Sequence, residues 1–213
     1  MRNHFYLATF VALVSAAPLA RATLVLDLAT GGSSETCSCG ADGTTVGWSF
    51  IVNSAITVDG IGVWDADSAP LAVDTEAGLF DDLGNVLASA EITNTSTPVA
   101  SASTDGQWLF EGIAPLTLAP GDYELGTLLF PPGPPVQIDA PFLPVPQITV
   151  VEGVLGPVDG GFQAPLTAFG GPVFGPTLET VPEPGLAGLL GLASAALLLS
   201  RAWIARRLKS ILQ

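Results

Sequence analysis

Between Ala22 and Arg201 the chain contains no lysine and no arginine, yet all 20 of its carboxylate side chains, from Asp27 to Glu183, fall inside that interval. The six basic residues are Arg2, Arg21, Arg201, Arg206, Arg207 and Lys209, so charge is sorted by position. A domain built from the interval has no internal counterion and repels itself. It cannot neutralise a phosphate backbone, which excludes nucleic-acid binding. With 24 Gly and 18 Pro in 213 residues, composition favours strands, turns and loops over long helices. No stretch between the two ends carries a convincing helical period.

The ends read as addresses. MRNHFYLATFVALVSAAPLARA supplies a charge at Arg2, an apolar core from Phe5 to Ala17, and small residues at Ala20 and Ala22 where a signal peptidase reads. Cleavage after Ala22 leaves Thr23 first and removes His4, the one histidine of the chain. The mature protein then lacks the histidine that Ser-His-Asp, Cys-His and HExxH chemistries need. At the other end, Gly185 to Ser200 is free of charge, and extended to Ile204 it makes a helix of about 30 Å, the thickness of a bilayer core. Trp203 suits the interfacial belt, Arg201 snorkels, and Arg206, Arg207 and Lys209 stay cytoplasmic. The domain is then left on the far side of the inner membrane.

A plain anchor does not explain Pro182-Glu183-Pro184. Each proline holds the residue before it extended, so this tripeptide is an accessible segment just outside the membrane. VPEP (Val181, Pro182, Glu183, Pro184), an apolar helix rich in Gly, Ala and Leu, and an Arg-rich end together resemble the C-terminal sorting signal of PEP-CTERM proteins. The resemblance covers Val181 to Gln213 and implies processing by an exosortase-type membrane enzyme in an exopolysaccharide-producing Gram-negative cell. The tail LKSILQ after Arg207 is longer than such signals usually carry.

Between the addresses, VGWSFIV places Val46, Trp48, Phe50 and Val52 on one face of a strand. AITVDGIGVW reads as a second strand, and GLF and VLASAEI flank the turn Asp81-Asp82-Leu83-Gly84-Asn85 as a hairpin. GQWLFEG, APLTL and DYELGTLLF follow as separate strands. Residues 131–146 read as a Pro-rich loop, and QITVV with the later phenylalanines favours closing strands over a disordered stalk. The expected fold is mainly β, an antiparallel β-sandwich flanked by a signal peptide and a transmembrane helix. The expected divisions are signal peptide 1–22, a Gly/Ser/Cys-containing segment 23–45, sandwich 46–180 and sorting signal 181–213. Val46 to Gly126 also resembles a β-sandwich module of unknown function found in bacterial surface proteins, which implies a fold and no chemistry.

Three constellations bear on chemistry. Cys37 and Cys39, in an exported Gly/Ser loop, suit a tight local disulfide, an intermolecular link or an exposed redox pair. Asp65, Asp67, Asp81 and Asp82 are candidate Ca²⁺ ligands, weighed against a solvated acidic loop. Trp48, Trp64 and Trp108 are candidates to stack on sugar rings; Trp48 reads as core, and Trp64 as the better candidate for an exposed contact, with core packing still ahead. No catalytic residue stands out and no cofactor is required, Ca²⁺ being the one alternative. The expectation is a non-enzymatic exported protein, anchored facing the periplasm and then released to the cell surface or matrix. Its partners would be a signal peptidase, an exosortase-type enzyme and exopolysaccharide. The alternative is a calcium- or carbohydrate-binding module on a plain membrane anchor.

Overall fold

The structure is a computed structural model that describes residues 23–35, 41–66, 71–129, 136–171 and 173–181. Ala20, Ala22, Cys37, Cys39, Asp67, Pro182, Glu183, Pro184, Arg201, Arg206, Arg207 and Lys209 lie outside the described residues, as does the expected membrane span. Among the described residues every regular element is a strand, and no helix is long and apolar enough to cross a membrane.

The first strands are β1 (Thr23–Leu24), β2 (Leu26–Leu28), β3 (Ser33–Glu35) and β4 (Thr44–Val52). Then come β5 (Ile56–Asp65), β6 (Thr75–Asp81), β7 (Val86–Ile92) and β8 (Thr97–Ala100). Next are β9 (Gln107–Leu118), β10 (Gly121–Leu129), β11 (Val136–Ile138) and β12 (Phe142–Pro144). The chain closes with β13 (Ile148–Leu155), β14 (Thr167–Gly170), β15 (Val173–Phe174) and β16 (Pro176–Thr180). One sheet has five strands in the order β1-β16-β5-β9-β8, and another has six in the order β14-β13-β4-β10-β6-β7. Two small sheets, β15-β11-β3 and β12-β2, add to these. All of these strand pairings are antiparallel.

Local pattern accounts for most of the strands. In β4, Val46, Trp48, Phe50 and Val52 are buried, while Ser49 and Ile51 alternate with them toward the surface. The β6–β7 hairpin forms where the sequence places it, with Gly84 at φ +81° in its turn. GQWLFEG and APLTL differ from expectation, because they form the single 12-residue strand β9 with Pro115 inside it. A proline removes a ladder donor. Here the register slips between Val58/Leu116 and Gly60/Gly112, so residues 113–115 fall in a bulge where no donor is needed. The expected Pro-rich loop likewise contains two short strands, β11 and β12.

One apolar cluster draws on both main sheets: Trp48, Phe50, Leu79 and Leu125 from the six-stranded sheet, and Ile61, Val63, Leu109 and Leu178 from the five-stranded one. Trp48 reaches across and its indole N–H donates to the carbonyl of Pro176 at 2.8 Å. Phe50 and Phe174 lie against it at ring-centroid distances of 4.9 and 6.3 Å.

The opposite face of the six-stranded sheet carries a row of cross-strand glycines, Gly47, Gly126 and Gly78. The row makes room for residues 157–166, which cross this face as a strap. A Cβ on Gly78 would come within 2.6 Å of the Phe162 ring, and one on Gly126 within 3.1 Å of Pro165. Phe162 stands 5.5 Å from Phe80. The Thr45 hydroxyl donates to the carbonyl of Gly161 and accepts from the Gln163 N–H, at 3.1 and 3.0 Å.

A Cβ on Gly47 would lie 1.8 Å from the backbone oxygen of Leu125, which cannot give way without moving the β4–β10 ladder. We expect Gly47→Ala to cost about 3 kcal/mol and to lower the melting temperature by about 6–12 °C. Gly112→Ala, whose nearest new contact is 3.9 Å away, should change it little. Thermal unfolding followed by circular dichroism checks both, and equal effects would contradict the close-approach argument.

Candidate functional site

The first and last strands of the folded unit are partners. Thr23 lies opposite Thr180 and Leu24 opposite Glu179. The Thr23 N–H donates to the Thr180 hydroxyl at 3.3 Å, and that hydroxyl donates back to the Thr23 carbonyl at 3.0 Å. The Val25 N–H continues the ladder to the carbonyl of Leu178 at 2.8 Å. Beneath it, the buried Thr177 hydroxyl donates to the carbonyl of Leu26 at 2.6 Å. On the other side of β16, the Val181 N–H donates to the carbonyl of Thr57 at 2.9 Å. The residue expected to become the N-terminus and the first residue of the VPEP motif are therefore held at one corner of the five-stranded sheet. The compact unit that contains them runs from Thr23 to Val181. Burial, and then the nearby Asp59, hold the Glu179 carboxyl above its ordinary range.

The described candidate calcium ligands take up separate duties. Asp65 ends β5, is buried, and accepts from the Gln107 side-chain amide at 2.9 Å. Asp81 organises the β6–β7 turn by accepting from the Leu83 and Asn85 N–H groups and from the Asn85 side chain. The Asn85 side chain, followed by these backbone donors, lowers its pKa. Asp82 is exposed in the same turn. Among the described residues no group of three or more His, Cys, Asp or Glu is arranged to hold a metal ion. Trp48, Trp64 and Trp108 are all fully buried, so none can stack on a sugar from outside. Trp64 packs edge-on against Trp108 at 5.0 Å.

Two carboxylates escaped the sequence reading. Asp27 accepts from the Leu28 N–H, the Ser101 hydroxyl, the Trp108 indole and the Ala102 N–H, all within 2.9 Å. It thereby ties β2 to the β8–β9 connection. Glu124 stands opposite Phe80 on one side and Ser49 on the other, and its Oε2 is buried without a hydrogen-bond partner. Burial, then Asp82, Asp81 and Asp122, push its carboxyl up to about 7. In both cases the signal lies in tertiary contacts that join residues far apart in sequence, strand register for Glu124 and the β8–β9 connection with Trp108 for Asp27.

No protein-family model and no curated protein matches this chain. Among solved structures it is similar to the VP2 subviral particle of infectious bursal disease virus, with 11% identity, 78% of this chain and 43% of that one covered, and a TM-score of 0.26. A second match, the T=1 particles derived from the same virus, has 12% identity, 84% and 47% coverage, and a TM-score of 0.25. The chain thus spans less than half the length of these capsid proteins. Scores of this size carry nothing about fold or function.

Glu124 makes stability depend on pH. Its folded pKa of about 7 exceeds the ordinary 4.5, so the folded state keeps a proton that the unfolded chain gives up. Its contribution is fully present below pH 4.5 and is lost as pH rises through 7. Solvent screening of a part-exposed group reduces the amount to about 1–2 kcal/mol. Glu124→Gln should therefore flatten the fall in stability between pH 5 and pH 8 by about that amount. Denaturant unfolding at the two pH values checks it, and parallel wild-type and variant curves would refute the assignment.

Proposed function

We propose that this is an exported, non-enzymatic surface or matrix protein built on an antiparallel β-sandwich. A C-terminal signal holds it in the inner membrane until an exosortase-type enzyme acts near Pro182-Glu183-Pro184. The observation that carries the reading is the ordered trio of VPEP, charge-free apolar run and basic tail. Support comes from the folded unit, whose bounds at Thr23 and Val181 coincide with the inner ends of the two address segments. The mature domain is acidic throughout and offers its surroundings carboxylates, hydroxyls and backbone edges. Association with a neutral or cation-bridged exopolysaccharide fits that surface better than association with another polyanion.

The sandwich reading draws on the core shared by the two main sheets and on the Trp48–Pro176 hydrogen bond between them. A calcium-binding module on a plain anchor is the second reading, favoured by the mutual repulsion of Glu124, Asp81, Asp82 and Asp122. A calcium-dependent rise in melting temperature would support that alternative.

Intact mass of the protein recovered from the native host's envelope and medium tests the proposal. We expect a species that begins at Thr23 and ends between Pro182 and Gly185. A single species from Thr23 to Gln213 in both fractions would overturn sorting and leave a membrane-anchored domain. Tryptic peptides cannot substitute, because residues 22–200 offer no cleavage site.

A further inference from the structure

Resting on the sorting reading above, we propose that the β1–β16 clasp gates processing, so that the corner must fray before a processing enzyme can take hold of Val181. Enzymes that take a chain as an extended strand do so through its main-chain N–H and C=O groups. At this corner the main-chain donor of Val181 is already in use, and its neighbour Thr180 is held as well. The N–H of Val181 is bonded to Thr57, and Thr180 is locked to Thr23 through its hydroxyl in both directions. β16 is also an interior strand with β1 on one side and β5 on the other, so no third strand can add to it. Pro182 follows immediately, without a spacer residue between the last sheet hydrogen bond and the motif's first proline.

The chemistry of cleavage itself is ordinary. One peptide C–N bond breaks, the carbonyl carbon passes to the oxygen of water or the nitrogen of an acceptor amine, and the departing nitrogen takes the proton that this nucleophile gives up. The gate acts earlier, on the fraction of molecules whose last residues are released. Strand ends open locally at far lower cost than the whole fold, so the gate slows processing without forbidding it. It also links the two ends. Pairing of Thr23 with Thr180 sets how tightly the corner is closed, so the state of the N-terminal end is felt at the C-terminal one.

The test uses the full chain in its native host, pulse-labelled, with intact mass read over time. Three forms are compared: wild type, Thr180→Val, and an insertion of Gly-Ser-Gly-Ser between Val181 and Pro182. The insertion lies outside the folded strands, so it leaves the domain intact. We expect it to speed conversion of the Gln213-ended form about three- to ten-fold, the worth of one net hydrogen bond or slightly more. Thr180→Val, which removes the two hydroxyl bonds to Thr23, should speed it about two- to five-fold. An insertion form processed at the wild-type rate or slower overturns the gate, while a wild type cut near Pro182 leaves the sorting reading standing. Absence of any species cut near Pro182 in all three forms overturns both.

Discussion

The insertion of β16 between β1 and β5 is the constraint on which the rest of the fold depends. Leu178 of that strand is fully buried in the shared core, and the carbonyl of Pro176 receives the indole of Trp48 from a position 128 residues earlier. Without β16, the five-stranded sheet is cut in two, β1 loses its partner, and the buried Trp48 N–H loses its acceptor. Leaving such a donor unsatisfied costs about 1–3 kcal/mol on its own. A sheet closed by its last strand is dominated by non-local pairing, which folds slowly because loop closure precedes any return. The domain therefore completes its fold only when the whole segment from Thr23 to Thr180 is present.

A domain without lysine, arginine or histidine has to accommodate its carboxylates by other means, and several are visible. Asp27 is surrounded by donors from backbone, hydroxyl and indole. Asp81 is wrapped by its own turn, with Asn85 supplying both a backbone and a side-chain donor. Glu124 and Glu179 instead have their charged forms disfavoured by burial and neighbouring acids. Hydrogen bonds to the ionised form and retention of a proton are opposite answers to the same shortage of positive charge.

What could be read from the sequence was whatever is local. Alternation in β4 and the Asp81–Asn85 turn were legible because periodicity and turn chemistry act over a few residues. The continuity of β9 through Pro115 was not, because the bulge that tolerates the proline is defined by where β5 places Val58 and Gly60. For Trp64 the sequence favours core packing over an exposed sugar contact, and the structure agrees, with its cross-strand neighbour Trp108 packed edge-on against it. Asp27 and Glu124 could not be singled out among 20 acids, since their distinction comes from partners contributed by distant strands. The proposed sorting motif, by contrast, is read from the linear order of residues 181–184 and needs no tertiary contact to be seen.

Among the described residues the two main sheets end in strands without an outer partner, β14 and β7 flanking one, and β1 and β8 the other. Exposed edges invite another chain to pair, and proteins commonly discourage this with an edge lysine. No such residue exists here, and all four residues of β14 are exposed without a charge among them. What separates neighbouring copies is the collective field of a domain in which every ionised side chain has the same sign. That field reaches only about 8 Å at physiological ionic strength. Crowded together, the molecules owe their mutual avoidance to electrostatic distance rather than to any steric guard, and proximity between them is set by the ions around them.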